Sequence, residues 1–186
     1  MENALYIVAG ALVFALVVVA LIYNTFVHKN NVAKNVFATI DVLLKKRADL
    51  VPNLVEVVRG YAKHESETLA RIAELRSNVP PADASDEEKI DFDRELSGGL
   101  GRLMAIVESY PDLKADKQFL ELQRTLTELE DQISAARRAY NAAVTDFNNT
   151  LEMFPTNIFG AIFGFKRKTL FHIDATARNA SMNVDL

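Results

Sequence analysis

Residues 4–23 read ALYIVAGALVFALVVVALIY, twenty positions without a charge. A helix of that length measures about 30 Å, the depth of a bilayer's hydrocarbon core. Twelve of the twenty are Leu, Ile, Val or Phe, and such side chains together favour insertion by about 4–7 kcal/mol. Tyr6 and Tyr23 stand near the two ends, where a ring with an apolar body and a polar tip suits the interface. A cleaved secretory signal would need a basic start, a shorter apolar run and small residues before the cut. No Lys or Arg precedes this run, and VVALIYN is a poor cleavage site. The segment is therefore expected to cross a membrane once. Only Glu2 and the amino terminus lie before it, whereas His28, Lys29 and Lys34, then Lys45, Lys46 and Arg47, follow. Basic flanks stay in the cytoplasm, which predicts an external N-terminus and a cytoplasmic domain.

The other residues bound the fold. A length of 186 residues makes one folded domain the default. The chain has no Cys, which excludes disulfides and thiolate metal sites. With 7 Gly and 5 Pro among abundant Ala, Leu, Glu and Arg, it reads as α-rich. A net charge of -4 gives no electrostatic reason to expect nucleic acid.

Between Tyr23 and Val51 there is no Gly or Pro, and Val32, Val36, Ile40, Leu43, Leu44 and Leu50 form a helical stripe. The membrane helix is expected to continue into the domain without a break until Pro52. There the lost backbone donor predicts a kink or break between two helical stretches. Leu54, Val57, Val58, Tyr61, Leu69, Ile72 and Leu75 mark the second stretch, to about Arg76. SNVPPADASD, at 77–86, is a turn-rich connection. Ser85 and Glu88 read as a capping box that starts another helix. That helix runs toward Tyr110, with a disturbance expected at Ser97-Gly98-Gly99-Leu100-Gly101. The last long helix, from about Asp116 to Leu151, carries Phe119, Leu122, Leu126, Leu129, Ile133, Ala136, Tyr140, Ala143 and Phe147 at 3-4 spacing. Three apolar stripes need one another for burial. The expected fold is all-α: a single N-terminal transmembrane helix continuing into an elongated antiparallel helical bundle of three to four long helices.

Several stretches carry a family resemblance. IDVLLKKRADLVPNLVEVVRGYAKHE (40–65) resembles the signature of the LemA family. So do YNTFVHKNNVAKN (23–35), ESYPDLKADKQFLELQRTL (108–126), AARRAYNAAVTDFN (135–148), and the FP and FGF at 154–155 and 163–165. The order is right over nearly the whole chain. One departure is the Trp that usually precedes Ile-Asp-Val; this chain has Phe37 in that area and no Trp. The resemblance implies a bacterial membrane-anchored helical protein with a small external N-terminus and no inherited catalytic residues. One relative shapes magnetosome membranes. The family pattern maps onto Asp41, Lys46, Arg47, Asp49, Pro52, Asn53, Arg59, Gly60 and Tyr61, and the later stretch contributes Arg137, Tyr140 and Asn141.

The charged knot in 40–61 has two readings. Asp41 with Lys45, and Lys45 with Asp49, are i, i+4 pairs, so a solvated salt-bridged face is the simpler one. Alternatively Arg47 and Asp49 meet Arg137, Arg138 and Asn141, or a neighbouring chain. Gly60 would allow a close helix crossing.

Catalysis finds little support. The three His, at 28, 64 and 172, are far apart and lack HExxH spacing, and His64-Glu65 reads as a surface pair. Gly98-Gly99-Leu100-Gly101 is not a phosphate loop, since no strand precedes it and GxxxxGK is missing. No enzyme activity, metal or cofactor is expected.

The segment Asn157–Phe165 is too short to span. Its Ile158, Phe159, Gly160, Ile162, Phe163 and Phe165, followed by Lys166, Arg167 and Lys168, suit an anionic membrane surface or a neighbouring subunit. The competing reading is a bundle cap in which Gly160 and Gly164 permit close packing. The expected organisation is 1–23, a short N-terminus and transmembrane helix; 24–171, the cytoplasmic bundle; and 172–186, a polar tail.

The expected function is a scaffold that self-associates at the bacterial inner membrane and shapes or organises it. The alternative is a regulatory or adaptor subunit that presents its bundle to another membrane protein, such as a protease or signalling complex. Expected partners are the lipid bilayer, further copies of the chain and a membrane protein, but no nucleic acid.

Overall fold

The computed structural model describes residues 1–171, and among these no strand occurs. The expected tail at 172–186 lies outside the described residues. The helices are α1 (Glu2–Tyr61), α2 (Ser66–Glu74), α3 (Asp86–Glu108), α4 (Pro111–Lys114), α5 (Lys117–Glu152) and α6 (Thr156–Ile162). Two 3-10 turns, Lys63–Glu65 and Leu75–Asn78, flank α2. The described residues form two compact units. One comprises Met1–Lys34 with the residues from Tyr140 on, and the other Asn35–Ala139.

α1 corrects the expectation of a break at Pro52: the helix runs unbroken to Tyr61. Pro52 lies on the exposed side, while Val51, Leu54, Val55 and Val58 beside it are buried. A missing hydrogen bond and a steric clash together cost about 3 kcal/mol. Burying four aliphatic side chains at about 1.5–3 kcal/mol each outweighs that. The continuous second stretch to Arg76 is also corrected, because the chain leaves the α-helix at Ala62 and re-enters it at Ser66. Gly60 is exposed with no atom within 4 Å of where a Cβ would sit, so it makes no close crossing.

In the unit Asn35–Ala139 the core joins Ala48, Val51, Leu54 and Val58 of α1 to Leu69 and Ile72 of α2, to Leu96, Leu100 and Leu103 of α3, and to Phe119 of α5. Ser85 caps α3 by accepting from the Glu88 N–H, while Glu88 accepts from the Ser85 N–H at 2.8 Å. α3 then passes through 97–101 without interruption. Gly99 explains the glycine there: a Cβ would lie 2.3 Å from Leu75 Cδ1, whereas Gly98 and Gly101 face open space. α5 starts at a second cap, where Asp116 accepts from the Phe119 N–H at 2.9 Å. Tyr61, exposed rather than part of an apolar stripe, donates its hydroxyl to the other Asp116 oxygen at 2.9 Å. The end of α1 is thus tied to the start of α5.

The other unit is built on the first part of α1 and the last part of α5. Phe26 and Phe147 meet edge-on at 6.4 Å, and Lys29 pairs with Asp146 at 2.7 Å. The α5 seam slips by one residue here: Val144 is fully buried and Ala143 only partly.

Candidate functional site

Two places gather the residues that the sequence singles out. The first is a ring of four charges in the unit Asn35–Ala139. Arg47 on α1 donates through Nη1 to Asp93 on α3 at 3.4 Å, and its Nη2 lies 3.0 Å from Glu130 on α5. Arg137, two turns beyond Glu130 on α5, closes the ring. Its Nη2 donates to Asp93 Oδ1 at 2.5 Å, and its Nη1 lies 3.7 Å from Glu130. Two positive and two negative groups cancel. Arg47 and Asp93 are buried, whereas Glu130 keeps 40% of its side chain exposed. Burial pushes the Arg47 guanidinium below its ordinary value; Glu130 and Asp93 oppose that, and Arg137 adds to it. Arginine remains charged at neutral pH, so Arg47 stays a buried cation that the two carboxylates must balance.

The ring corrects the sequence reading in detail. Asp41 pairs with Lys89 at 3.1 Å, across to α3, instead of with Lys45. Asp49 pairs with Arg76 at 3.1 Å, not with Arg137, Arg138 or Asn141. Arg138, Lys46, Asn53 and Arg59 are exposed. Lys89 is buried, donates also to the Ala82 carbonyl at 2.9 Å, and lies 6.0 Å from the centroid of Phe37. Sequence reasoning missed Lys89, Asp93 and Glu130. A signal for the first two was present: 89, 93, 96, 100, 103 and 107 keep 3-4 spacing, so both charges sit on the apolar stripe of α3.

Beside the ring lies an open cleft of about 350 Å³. Leu100, Met104 and Leu126 are among its lining, with Arg47, Thr127 and Glu130. Ser97, Gln123 and Asp131 also line it, and of its two carboxylates Glu130 is engaged by two guanidiniums. Among the described residues no three His, Asp or Glu converge as a metal set would require.

The second place is where α6 and the residues after it, to Phe171, meet α1 at Tyr23 and Phe26 and α5 beyond Tyr140. Phe163 meets Tyr23 edge-on at 5.1 Å, and Phe165 stacks on Phe26 at 4.9 Å. Gly160 permits this packing, since a Cβ would lie 3.1 Å from Phe26 and 2.7 Å from Leu151. Gly164 has φ +73°, which favours glycine, and closes α6 in a Schellman turn. There the Phe165 N–H donates to Gly160 and the Gly164 N–H to Ala161. After it, two asparagines hold the chain. Asn148 exchanges two hydrogen bonds of 3.0 Å with the backbone of Lys168, and Asn141 does the same with Phe171 at 2.9 and 3.0 Å. Seven helical residues rise about 10.5 Å, and three extended residues reach about 10 Å, so the two spacings match. Phe171 also meets Tyr140 edge-on at 5.4 Å. Phe159, Phe163 and Phe165 are half-buried in this packing, whereas Ile158 and Ile162 are exposed. Arg167 pairs with Glu152, and Lys166 is exposed.

The sequence model of the LemA family matches residues 36–186. The chain belongs to the LemA family. It is 30% identical over 134 residues to Protein LemA of Metamycoplasma hominis, covering 72% of this chain and 61% of that protein. Magnetosome protein MamQ 2 of Paramagnetospirillum magneticum is 27% identical over 195 residues, covering 91% of this chain and 72% of that one. Magnetosome protein MamQ of Magnetospirillum gryphiswaldense is 26% identical over 175 residues, covering 81% and 64%. The chain thus spans about two thirds of the length of the relatives it matches. The matched region of the family holds the whole charge ring, both asparagine clamps and α6.

Proposed function

We propose that this LemA-family chain is a non-catalytic, single-pass membrane scaffold. Residues 1–23 anchor it, and 24–171 form an antiparallel helical bundle on the cytoplasmic face of the bacterial inner membrane. Self-association of that bundle organises or shapes the bilayer. The observation that carries the reading is the bare apolar run. Leu5, Ile7, Phe14 and Leu16 are each more than 60% exposed, and none of the most apolar window of α1 is buried. A water-soluble surface does not keep so large a patch uncovered; lipid would cover it. The basic residues from Lys29 onward support the orientation. The magnetosome proteins among the relatives support membrane association.

Two measurements test this. A reporter fused after Leu186 is expected to read cytoplasmic, and a periplasmic reading overturns the orientation. Light scattering in mild detergent is expected to give a homo-oligomer. A monomer that co-purifies in fixed ratio with another membrane protein favours the adaptor reading instead. The open cleft at Leu100, Met104 and Leu126 is the observation on that side.

A further inference from the structure

The inward face of α6 leaves its other face bare. Ile158 and Ile162, four residues apart and so on one side of the helix, are 51% and 69% exposed. Met153 and Phe154, just before α6, are 63% and 80% exposed. Their height is fixed by the aromatic contacts of Phe163 and Phe165 with Tyr23, the last residue of the apolar run. Cover on α1 begins still deeper. Val18, Val19 and Ile22 are half-buried, while every residue before them is exposed. Val19 lies about 6 Å below Tyr23 along the helix. Interfacial helices sink about 5–10 Å into the boundary between headgroups and acyl chains. No Asp or Glu occurs between Glu152 and Asp174, while Lys166, Arg167 and Lys168 do, a balance suited to anionic headgroups.

We propose that residues 153–163 are a membrane foot: Met153, Phe154, Ile158 and Ile162 enter the interface of the bilayer that residues 4–23 cross. The inference rests on the anchoring reading and adds a second lipid contact to it. A helix fastened at Tyr23 meets the interface of its own bilayer before any other surface. The foot clamps the emerging helix from the side, so the tilt of the span and the curvature of the lipid beneath become linked. Phe163 and Phe165 hold the inner side to Tyr23 and Phe26, and the outer four residues touch lipid.

The absence of Cys makes the test clean. Single variants Phe154→Cys, Ile158→Cys and Ile162→Cys of the full chain are labelled with a fluorophore. They are reconstituted in vesicles of phosphatidylethanolamine and phosphatidylglycerol that carry a nitroxide near the headgroup end of the acyl chain. Leu12→Cys reports the span, and Ala70→Cys, exposed on α2, reports water. Quenching at 154, 158 and 162 is expected several-fold above that at 70, with matching protection from aqueous iodide. If Leu12 is quenched from within the bilayer but the three foot positions behave like Ala70, the foot is overturned and the anchor stands. If the foot positions are shielded from iodide and nitroxide alike, a second copy covers them and the lipid assignment is overturned. If Leu12 itself is open to iodide, the anchoring reading fails and takes the foot with it.

Discussion

Asp93→Asn removes a charge without changing a shape. Asp93 is 5% exposed and accepts from Arg137 at 2.5 Å and from Arg47 at 3.4 Å. The amide has the same volume, so packing survives, but two guanidiniums are left with Glu130 as the ring's one remaining anion. Removing one partner from a buried ion pair costs about 3–5 kcal/mol. Arg137 keeps 23% of its side chain exposed and can lean toward water, whereas Arg47 at 5% cannot. The loss therefore belongs at the low end, about 3 kcal/mol. For a chain of this size each kcal/mol lowers the thermal midpoint by about 2–4 °C, so a drop of about 6–12 °C is expected. The measurement is helical circular dichroism of the full chain in detergent on heating. Asp91→Asn, two residues earlier, is the control, because its pair with Arg94 at 2.9 Å is exposed on both sides. Such a pair is worth about 0.3–0.5 kcal/mol, a shift of about 1–2 °C. Combining Arg47→Met with Asp93→Asn should cost less than the two changes summed, by about 0.5–3 kcal/mol of coupling. Equal small shifts at 93 and 91, or strict additivity in the double variant, would refute the view that the ring is a cooperative buried unit.

Three further outcomes follow from local geometry. Gly98→Ala and Gly101→Ala face open space in mid-helix and should each raise stability by about 0.5–1 kcal/mol; Gly99→Ala, whose Cβ meets Leu75, should lower it by about 1–3 kcal/mol, and chemical denaturation that ranks the three alike contradicts this packing. Asn148→Ala removes both bonds to Lys168, costs about 1–3 kcal/mol, and should make residues 166–171 the first site of limited proteolysis; an unchanged cleavage pattern counts against the clamp. Glu88 is held below the ordinary carboxylate range chiefly by the Ser85 N–H, and Asp116 chiefly by the Phe119 N–H and then the Tyr61 hydroxyl. Both contributions are complete above the ordinary carboxylate values, near pH 4, and fade as pH falls through the depressed ones, so Glu88→Gln and Asp116→Asn, which remove the titrating groups, should each flatten the loss of stability between pH 5 and pH 2 seen by denaturant titration, and parallel curves would exclude the caps as its source.

What the sequence showed and what it hid divide along a physical line. α5 was expected from about Asp116 to Leu151 and runs Lys117–Glu152, because a window without Gly or Pro and with an apolar seam needs only local rules. The capping box at Ser85 and Glu88 was legible for the same reason. The break offered as one outcome at Pro52 did not occur, because the four buried neighbours outweigh the local penalty. The ion partners misled because i, i+4 spacing makes Lys45 available to Asp41 and Asp49, while the fold offers each a cation from another segment. Lys89 also gains a backbone carbonyl there. In the tail, composition identified the apolar and basic residues but not which side of α6 each takes. That division depends on Gly160, where Phe26 and Leu151 leave no room for a Cβ, and on the positive φ of Gly164.

The placement of the ring carries the last step. Arg47 lies on the stripe 40, 44, 47, 51, 54 and 58 of α1, and Asp93 on 89, 93, 96, 100 and 103 of α3. Glu130 and Arg137 lie on 126, 130, 133, 137, 140 and 144 of α5. All four occupy positions where 3-4 spacing calls for an apolar residue. Apolar stripes alone tolerate sliding, because one aliphatic contact resembles the next. A charged layer does not: sliding α5 by two turns, about 10.5 Å, would set Gln123 or Arg137 against Arg47 and Glu130 or Val144 against Asp93. The cost of an uncompensated buried charge, about 3–5 kcal/mol, then becomes a penalty on every wrong register. The contacts of α1 with α5 follow one antiparallel register at both Tyr61–Asp116 and Arg47–Glu130, fourteen residues apart on each helix. The charged layer thus fixes the register of α1, α3 and α5 within the unit Asn35–Ala139, in agreement with the Tyr61–Asp116 contact.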